Sequence, residues 1–338
     1  MRGLRRLEAW IHRPRRAPAM IMLYHRVTRL KRDPWALSVT PEQFASQLSI
    51  IRRQARPAAL RDLDTLCNKP GLPAIAVTFD DGYEDNLLEA EPLLREFDIP
   101  ATMFVVSEAI QSPREFWWDE LERIVFERRK PAGPLHVAVG HTWRTWMLDE
   151  NSCSCNDTDW QAWAHVEDCC PHRAYSELYK LLFSVAADCR REILANMRTW
   201  AGLCNTGRSS HSTLSREQLK ELSQSPLVDI GAHSVTHASL AALPVSAQRD
   251  EIAVCKQDIE AIIERSSISF SYPFGKQEHF STQTVDAVRS AGFRYACTNV
   301  PGLVRDSTDR LRLPRFVAPR LEGQAFAHWL SNRLDERN

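Results

Sequence analysis

The chain has 338 residues, enough for two domains or for one large α/β barrel. Hydrophobic residues make up 43% and charged residues 25% of the chain, a balance that excludes a disordered or fibrous protein. The 43 basic and 43 acidic residues cancel, so no overall positive field would recruit nucleic acid, and we expect no nucleic-acid partner.

Cysteine usage and the lack of long apolar runs predict a cytoplasmic protein. The nine cysteines lack the regular spacing of a small secreted scaffold, which favours reduced thiols. The longest apolar stretches are far shorter than the roughly 20 residues that a transmembrane helix needs. Arginines interrupt residues 1–16, so the apolar segment of a signal peptide is missing there and export by that route is not expected.

The chain begins with a basic segment, residues 1–19. Six arginines stand against Glu8 within residues 1–16. Apolar residues recur there at helical spacing: Leu4, Leu7, Trp10 and Ile11. This pattern predicts either a helix in peripheral contact with an anionic membrane, on its inner surface, or a solvated or docked terminal helix.

From residue 20 onward, apolar runs rich in Val, Ile and Phe alternate with segments of helical period, which predicts βαβ units and a largely parallel sheet. The predicted strands are Met20–Tyr24, Ala74–Phe79, Ala101–Val106, Val228–Ala232, Ser267–Ser271, Arg294–Thr298 and Arg315–Ala318. Two capping boxes, Thr40-Pro41-Glu42-Gln43 and Ser215-Arg216-Glu217-Gln218, each predict the start of an amphipathic helix. The fold class is therefore α/β.

The alternation lapses between Val106 and Leu227, where Trp, Cys and His are enriched. We interpret residues 107–213 as a large helical, Trp-rich insertion between two parts of one barrel, 20–106 and 214–320, with a C-terminal tail at 321–338. Six residues of the insertion are compatible with a structural zinc site or with reduced, buried cysteines. They are Cys153, Cys155, Cys169, Cys170, His165 and His172.

The sharpest motif is Val77-Thr78-Phe79-Asp80-Asp81-Gly82, where a β-type run ends in two adjacent carboxylates and a glycine. Active sites of α/β folds gather at the carboxyl ends of strands. Neighbouring side chains on a strand point to opposite faces, but a turn that begins at Gly82 can bring both acids to one cavity. Taken alone, Asp-Asp-Gly is also a common turn sequence.

Two histidines, His233 and His237, directly follow the predicted strand Val228–Ala232. Their rings share a face if the loop coils into one helical turn, and this spacing suits a divalent metal. The alternative is a pair of capping or surface histidines. One acid and two histidines at strand ends would supply three ligands and leave a position open for water, as in a catalytic metal site.

A third strand ends in Phe270-Ser271-Tyr272-Pro273-Phe274-Gly275, a turn that could present a backbone N–H to a ligand. In type and order, the three motifs resemble those of the polysaccharide deacetylases, the NodB-homology family of metal-dependent carbohydrate esterases. Further similarity to the circularly permuted branch, with its N-terminal Tyr-His-Arg, lies at Met22–Val27, Val39–Phe44, Pro100–Val105 and Leu313–Arg315. Phe116–Leu121 resembles relatives linked to surface-glycan biosynthesis. The resemblance covers residues 20–106 and 214–320.

The resemblance implies a distorted (β/α) barrel of the NodB-homology type and a divalent metal held by Asp81, His233 and His237. Zinc is the expected metal, and cobalt, nickel or manganese could substitute in a mixed Asp-His-His site. The resemblance also implies that Asp80 is the general base and that His25 is the general acid.

In the third motif the backbone N–H of Phe274 is the expected oxyanion contact, and Tyr272 and Pro273 are expected to contact the substrate beside it. Many relatives have an arginine where this chain has Ser271, and the resemblance transfers the arginine's role to Arg315, paired with Asp80. The alternative for Arg315 is a plain surface arginine.

Trp117 and Trp118 lie in the predicted insertion. We expect them to form either a wall on which sugar rings stack or part of a hydrophobic core.

The expected function is a metal-dependent hydrolase that removes an N-acetyl group from an amino-sugar unit of a polysaccharide, a lipid-linked glycan or another glycan precursor. One alternative is a deformylase or other amide hydrolase acting on a lipid-linked amino sugar. Another is a catalytically silent glycan-binding protein that keeps the barrel as a scaffold. The joint presence of a base and an acid, Asp80 and His25, argues against the silent protein.

Overall fold

A computed structural model describes residues 18–63, 71–111, 115–129, 133–140, 142–148, 160–163 and 170–335. The basic segment 1–16, with its predicted membrane contact, lies outside the described residues. Of the six residues of the candidate zinc site in the insertion, only the side chain of His172 is described.

A parallel eight-stranded sheet organises the chain, in the order β11-β10-β9-β6-β5-β1-β12 with β4 added beside β5. Its strands are β1 (Ala19–Tyr24), β4 (Arg56–Pro57), β5 (Ala74–Phe79), β6 (Ala101–Val105), β9 (Val228–Ala232), β10 (Ser269–Ser271), β11 (Tyr295–Cys297) and β12 (Phe316–Val317). The short strands β2 (Arg26–Val27) and β3 (Ser38–Val39) pair in parallel, and β7 (Leu135–Val139) and β8 (Thr142–Trp146) form an antiparallel hairpin. All seven predicted strands are present, two of them shorter than predicted at both ends and two shorter at one end.

The two edges of the large sheet curl towards each other. Leu313, just before β12, forms a parallel bridge with Cys297 of β11. The Leu313 N–H donates to the Ala296 carbonyl over 2.8 Å, and the Leu313 carbonyl accepts from the Thr298 N–H over 2.8 Å. The predicted distorted (β/α) barrel is confirmed.

Ten α-helices are present in the described part of the chain. They are α1 (Pro41–Gln54), α2 (Glu91–Glu96), α3 (Ser107–Gln111), α4 (Trp117–Phe126), α5 (Cys170–Ser184), α6 (Ala187–Trp200), α7 (Arg216–Leu222), α8 (Val245–Ile263), α9 (Thr282–Ser290) and α10 (Gly323–Leu334). Both predicted capping boxes are confirmed, because Thr40 and Ser215 each accept from the backbone N–H three residues later. No helix among the described residues combines the length and apolar character that crossing a membrane requires.

Alternate residues of the central strands pack on different sides of the sheet, so both faces are buried. On β5, Ile75, Val77 and Phe79 join the large cluster that contains the helix residues. Ala74 and Ala76 point to the other side, into a smaller cluster of mostly strand and loop residues inside the curl.

Residues 107–213, predicted to be an insertion, contain most of a second hydrophobic core, built from α4, α5, α6 and the β7–β8 hairpin and joined by Tyr83 and Val106. Leu121, Tyr175 and Leu178 are fully buried there. The predicted C-terminal tail contains α10, whose Phe326 and Leu330 are buried in the main core. The last part of the chain thereby covers α1 rather than extending into solvent.

Candidate active site

The predicted site residues lie together at the carboxyl ends of four strands of the large sheet, β1, β5, β9 and β10. His25 follows β1, Asp80 and Asp81 follow β5, His233 follows β9, and Ser271 ends β10. Because all these strands run parallel, their ends meet at one edge of the sheet.

The turn after β5 depends on backbone in the left-handed region. Asp81 has φ +77° and Gly82 has φ +82°. A Cβ at Gly82 would lie 2.9 Å from Val105 Cγ1, so glycine is required there both for its φ and for the close approach of β6. This turn brings both carboxylates to the same site, and both side chains are buried.

The two histidines reach the site by a different route from the one predicted. Residues 233–237 form an irregular loop and not a helical turn, with φ +64° at Ser234 and +55° at His237. The His237 N–H donates to Ser234 Oγ over 3.0 Å, which closes the loop locally. Both imidazole rings nevertheless approach the same carboxylate, since His233 Nε2 and His237 Nε2 lie 3.5 Å and 3.3 Å from Asp81 Oδ1.

A residue that the sequence reasoning missed holds this loop. Glu251, on α8, accepts hydrogen bonds from the N–H groups of Val235 and Thr236, each over 2.9 Å, and from Thr236 Oγ1 over 2.7 Å. No local pattern connects Glu251 with the histidines, because a helical carboxylate is usually a solvated residue.

Asp81, His233 and His237 could hold a divalent metal. Each offers one ligand atom, and the three atoms lie within 4.8 Å of one another. His233 Nδ1 donates to the Ser271 carbonyl over 2.7 Å, which fixes the tautomer and leaves Nε2 as a ligand. One carboxylate and two imidazoles form a donor set that zinc and similar ions accept, and three protein ligands leave a coordination position open.

The pKa values of Asp81 and His237 are shifted in the directions that favour a cation site. Burial raises the pKa of Asp81, but hydrogen bonds from His233 and His237 outweigh burial and hold this pKa far below its usual range. Burial lowers the pKa of His237 and favours the neutral form that binds metals. The pKa of His233 is raised, because Asp80 and Asp81 outweigh the effect of its burial.

Asp80 does not belong to the cluster of candidate metal ligands. It forms a buried ion pair with Arg315. Arg315 Nη1 donates to Asp80 Oδ1 over 2.8 Å and Nη2 donates to Oδ2 over 2.7 Å. Ser271 Oγ donates to the same Oδ2 over 3.0 Å and accepts from Arg315 Nη2 over 2.8 Å. Arg315 Nε donates to the Thr298 carbonyl over 2.8 Å. The predicted pairing is present, and the surface alternative for Arg315 is wrong, since its side chain is fully buried.

The ion pair keeps Asp80 ionised. Burial would raise the pKa of this carboxyl, but the attraction of Arg315 and of His233 outweighs burial and leaves the pKa below its usual value. Asp80 Oδ2 accepts two hydrogen bonds, whereas Oδ1 accepts one from Arg315. Oδ1 therefore retains a lone pair that can accept a further proton donor.

His25 is half-buried at the end of β1. Burial raises the pKa values of Asp80 and Asp81. A positive charge on His25 acts in the opposite direction and contributes to the lowered pKa of each carboxyl. The His25 ring thus lies within electrostatic range of both carboxylates.

The third motif contributes less than expected. Tyr272 is 1% exposed, donates from its hydroxyl to the Leu311 carbonyl over 2.9 Å, and stacks on Phe280. Pro273 is also buried. The predicted contact of these two side chains with substrate is therefore wrong. Phe274 is half-buried with φ +61°, its ring centroid is 4.6 Å from that of His237, and its N–H has no acceptor among the hydrogen bonds of the described residues.

Trp117 and Trp118 do not form a wall for sugar stacking. They are 9% and 5% exposed and belong to the core of the insertion. The Trp118 ring packs edge-on against His237, with centroids 4.9 Å apart, and its Nε1 donates to the Tyr83 hydroxyl over 3.0 Å. Trp118 thus packs against the histidine, and Trp117 packs edge-on against Trp118, with centroids 5.5 Å apart.

Comparisons with known proteins point to one family. A family model described as polysaccharide deacetylase matches residues 68–151 and 192–296. A putative polysaccharide deacetylase of Bacillus subtilis (strain 168), YxkH, is 27% identical over 106 residues, which are 30% of this chain and 37% of that protein. The chain therefore spans little more than a third of the length of this curated relative.

Solved structures share the fold. The Streptococcus pyogenes deacetylase PplD, solved in complex with acetate, has a TM-score of 0.57 and 15% sequence identity, over 95% of this chain and 99% of that one. IcaB from Ammonifex degensii has a TM-score of 0.56 and 15% identity, over 94% and 97% of the two chains.

Proposed function

Since the chain belongs to the polysaccharide deacetylase family, we propose that it is a metal-dependent hydrolase that removes the acetyl group from an N-acetylated amino-sugar unit of a glycan or glycan precursor. The observation that carries the proposal is the joint burial, at one sheet edge, of a three-ligand cluster and a separately paired carboxylate. A binding protein needs no ionised carboxylate held apart from its metal ligands.

Asp81, His233 and His237 would hold the metal, and zinc suits the donor set. When bound, the cation supplies Lewis acidity towards the acetamide carbonyl and lowers the pKa of water. The irregular loop, the Ser271 carbonyl and Glu251 hold the histidine rings in place for this task.

Asp80 acts as the general base in this proposal. Its lowered pKa keeps it ionised at neutral pH, and Oδ1 has a lone pair left for the proton of an attacking water. Arg315 is a positioning residue, because its two parallel hydrogen bonds fix the plane of the carboxylate.

Two further groups complete the proposed reaction. The free N–H of Phe274 can donate to the oxygen of the substrate carbonyl as negative charge develops there. His25, half-buried at the end of β1, is the proposed general acid, which delivers a proton to the departing nitrogen, because this nitrogen cannot leave as an amide anion.

The test measures bound metal and acetate release in the same samples. The substrates are a panel of N-acetylated and N-formylated amino sugars, free, lipid-linked and polymeric. We expect Asp81→Asn to lose both metal and activity. Asp80→Asn is expected to keep the metal and to lose about 10²–10⁴-fold in kcat. The matched control is Asp286→Asn, an exposed aspartate on α9, which is expected to change neither quantity.

Each other outcome has a defined meaning. Metal that stays in Asp81→Asn at the wild-type level would contradict the ligand assignment. Release of formate alone would replace the deacetylase by a deformylase, and full metal content without turnover of any substrate would favour the silent glycan-binding protein.

We also propose that the protein is cytoplasmic and acts on a nucleotide- or lipid-linked glycan precursor. The support is that Cys189, Cys204, Cys255 and Cys297 are free thiols, as expected in a reducing compartment. Peripheral membrane contact through residues 1–16 is part of the same proposal, and flotation with anionic liposomes, with and without residues 1–16, tests it.

A further inference from the structure

The ring of His25, the proposed general acid, is half-buried, and no hydrogen bond to this ring is present among the described residues. A histidine that transfers protons in catalysis usually has its ring oriented by a hydrogen-bonded partner. Without such a partner, the direction of the His25 ring depends on how firmly the backbone that carries it is held. The contacts of that backbone therefore decide where the proposed acid points.

Two neighbouring side chains, Asp85 and Asn86, bind this backbone. Asn86 Nδ2 donates to the His25 carbonyl over 2.9 Å, and Asp85 Oδ1 accepts from the Val27 N–H over 2.9 Å. Asn86 is fully buried and Asp85 is 9% exposed, so water hardly competes for these bonds. The two side chains thus hold the backbone on both sides of Arg26.

An ion pair with Arg26 fixes the carboxylate of Asp85. Arg26 Nε donates to Asp85 Oδ2 over 2.9 Å, and the guanidinium carbon lies 4.2 Å from the centroid of the Tyr83 ring. Arg26 is buried, which lowers its pKa, but the charge of Asp85 outweighs burial and the pKa is raised. The pair occupies Asp85 Oδ2 and leaves Oδ1 for the Val27 N–H.

Asn86 reaches His25 from an unusual backbone turn. Residues Asn86–Ala90 form a π-helix, and the Glu91 N–H donates to the Asn86 carbonyl five residues earlier. Such turns are rare and are frequent at functional sites. Pro92 follows and has no N–H to donate to the Leu88 carbonyl, as a regular helix would require. The π-helix contains none of the candidate metal ligands, so the metal site does not account for it.

A third bond joins the same two segments of the chain. The Asp80 N–H donates to the Tyr24 carbonyl over 3.0 Å. Together with the bonds of Asp85 and Asn86, it locks residues 24–27 against residues 80–86. The proposed acid is thereby held at a fixed position relative to the proposed base, on which proton transfer in the reaction depends.

We propose that Asp85 and Asn86 are positioning residues for the general acid, because they hold the backbone of His25 so that its ring faces the departing nitrogen. This proposal rests on the proposed function. Neither residue forms a hydrogen bond with a candidate metal ligand in the described part of the chain. Their loss should therefore impair proton delivery and leave metal binding intact.

The test uses two acetyl substrates that differ in their need for an acid. An amide must receive a proton on its leaving nitrogen, whereas 4-nitrophenyl acetate releases a stable phenolate and needs none. The amide is the N-acetylated sugar of the panel above that the wild type hydrolyses fastest. Chelator-sensitive kcat and KM are measured for both substrates and normalised to bound metal, so unfolded protein does not alter the comparison. Asn332→Ala, an exposed asparagine on α10, is the matched control.

We expect Asn86→Ala to lower kcat for the amide about 10- to 100-fold, with KM, bound metal and ester hydrolysis near the wild-type values. His25→Ala should show the same selective loss, and larger. The double variant should be no slower on the amide than His25→Ala alone, because Asn86 acts through His25. Asp85→Asn keeps an acceptor for the Val27 N–H, so it should lose less amide hydrolysis than Asp85→Ala.

The outcomes separate this proposal from the proposed function. Equal losses of amide and ester hydrolysis in Asn86→Ala, or a further loss when this change is added to His25→Ala, would overturn the positioning role and leave the hydrolase. A His25→Ala variant without a selective loss of amide hydrolysis would overturn the general acid, and the positioning role with it. A wild type that hydrolyses the ester but no amide would overturn the proposed function itself.

Discussion

The buried ion pair between Asp80 and Arg315 offers a sharp test of the electrostatics of the site. The side chains are 5% and 0% exposed, and two parallel hydrogen bonds join them. Arg315→Met removes the positive charge and leaves the carboxylate buried. Removing one partner of a buried pair costs about 3–5 kcal/mol, so we expect the free energy of unfolding at pH 7 to fall by that amount.

The pH dependence of this loss follows from the direction of the pKa shift. In the wild type the Asp80 pKa is lowered, so the pair stabilises the fold above the ordinary aspartate pKa of about 3.9. That contribution is lost as the pH falls through the lowered pKa. In Arg315→Met, burial acts without its main opponent and raises the Asp80 pKa. The deficit of the variant should therefore be largest near neutral pH and shrink towards about pH 4.

The assay is urea unfolding of metal-free protein at several pH values. Arg315→Lys is the matched control, because it keeps the charge but cannot form the two parallel hydrogen bonds, and we expect a smaller deficit. A double-mutant cycle with Asp80→Asn should give a coupling free energy of about 1–3 kcal/mol. A deficit under about 1 kcal/mol at pH 7, as for an exposed pair, or one independent of pH, would refute the reasoning.

Three other predictions follow from single positions. Gly231→Ala should lower the free energy of unfolding in urea titrations by about 1–3 kcal/mol, because its Cβ would lie 2.4 Å from a Phe104 ring carbon. Gly133→Ala, whose Cβ would have no neighbour within 4 Å, should leave the free energy of unfolding unchanged, and equal losses in the two variants would contradict the prediction. Burial raises the pKa of Asp119 to about 7, so this group makes the fold lose stability as the pH rises from about 4, the ordinary aspartate pKa, to about 7; Asp119→Asn should flatten stability over that range, and an unchanged slope would exclude this origin. A chelator should lower the Tm of metal-loaded wild type but not of His233→Ala, and equal shifts would place the metal elsewhere.

Local sequence patterns were sufficient for seven strands of the large sheet, for two capped helices and for the position of the acids. The runs of Val, Ile and Ala at 74–79 and 228–232 predict strands buried on both faces, and both strands have the predicted bounds. Because these strands are parallel, residues placed directly after them meet at one edge without any further information. Asp80, Asp81 and His233 could therefore be assigned to one site from the sequence.

Tertiary structure decided what each side chain contacts. Asp80 and Arg315 are 235 positions apart, and the sequence suggested their pairing only through a family resemblance. The histidine loop, the support from Glu251 and the burial of Trp117 and Trp118 depend on neighbours from other elements. Local patterns report which face of an element is apolar, whereas the burial of a given ring depends on what packs over that face.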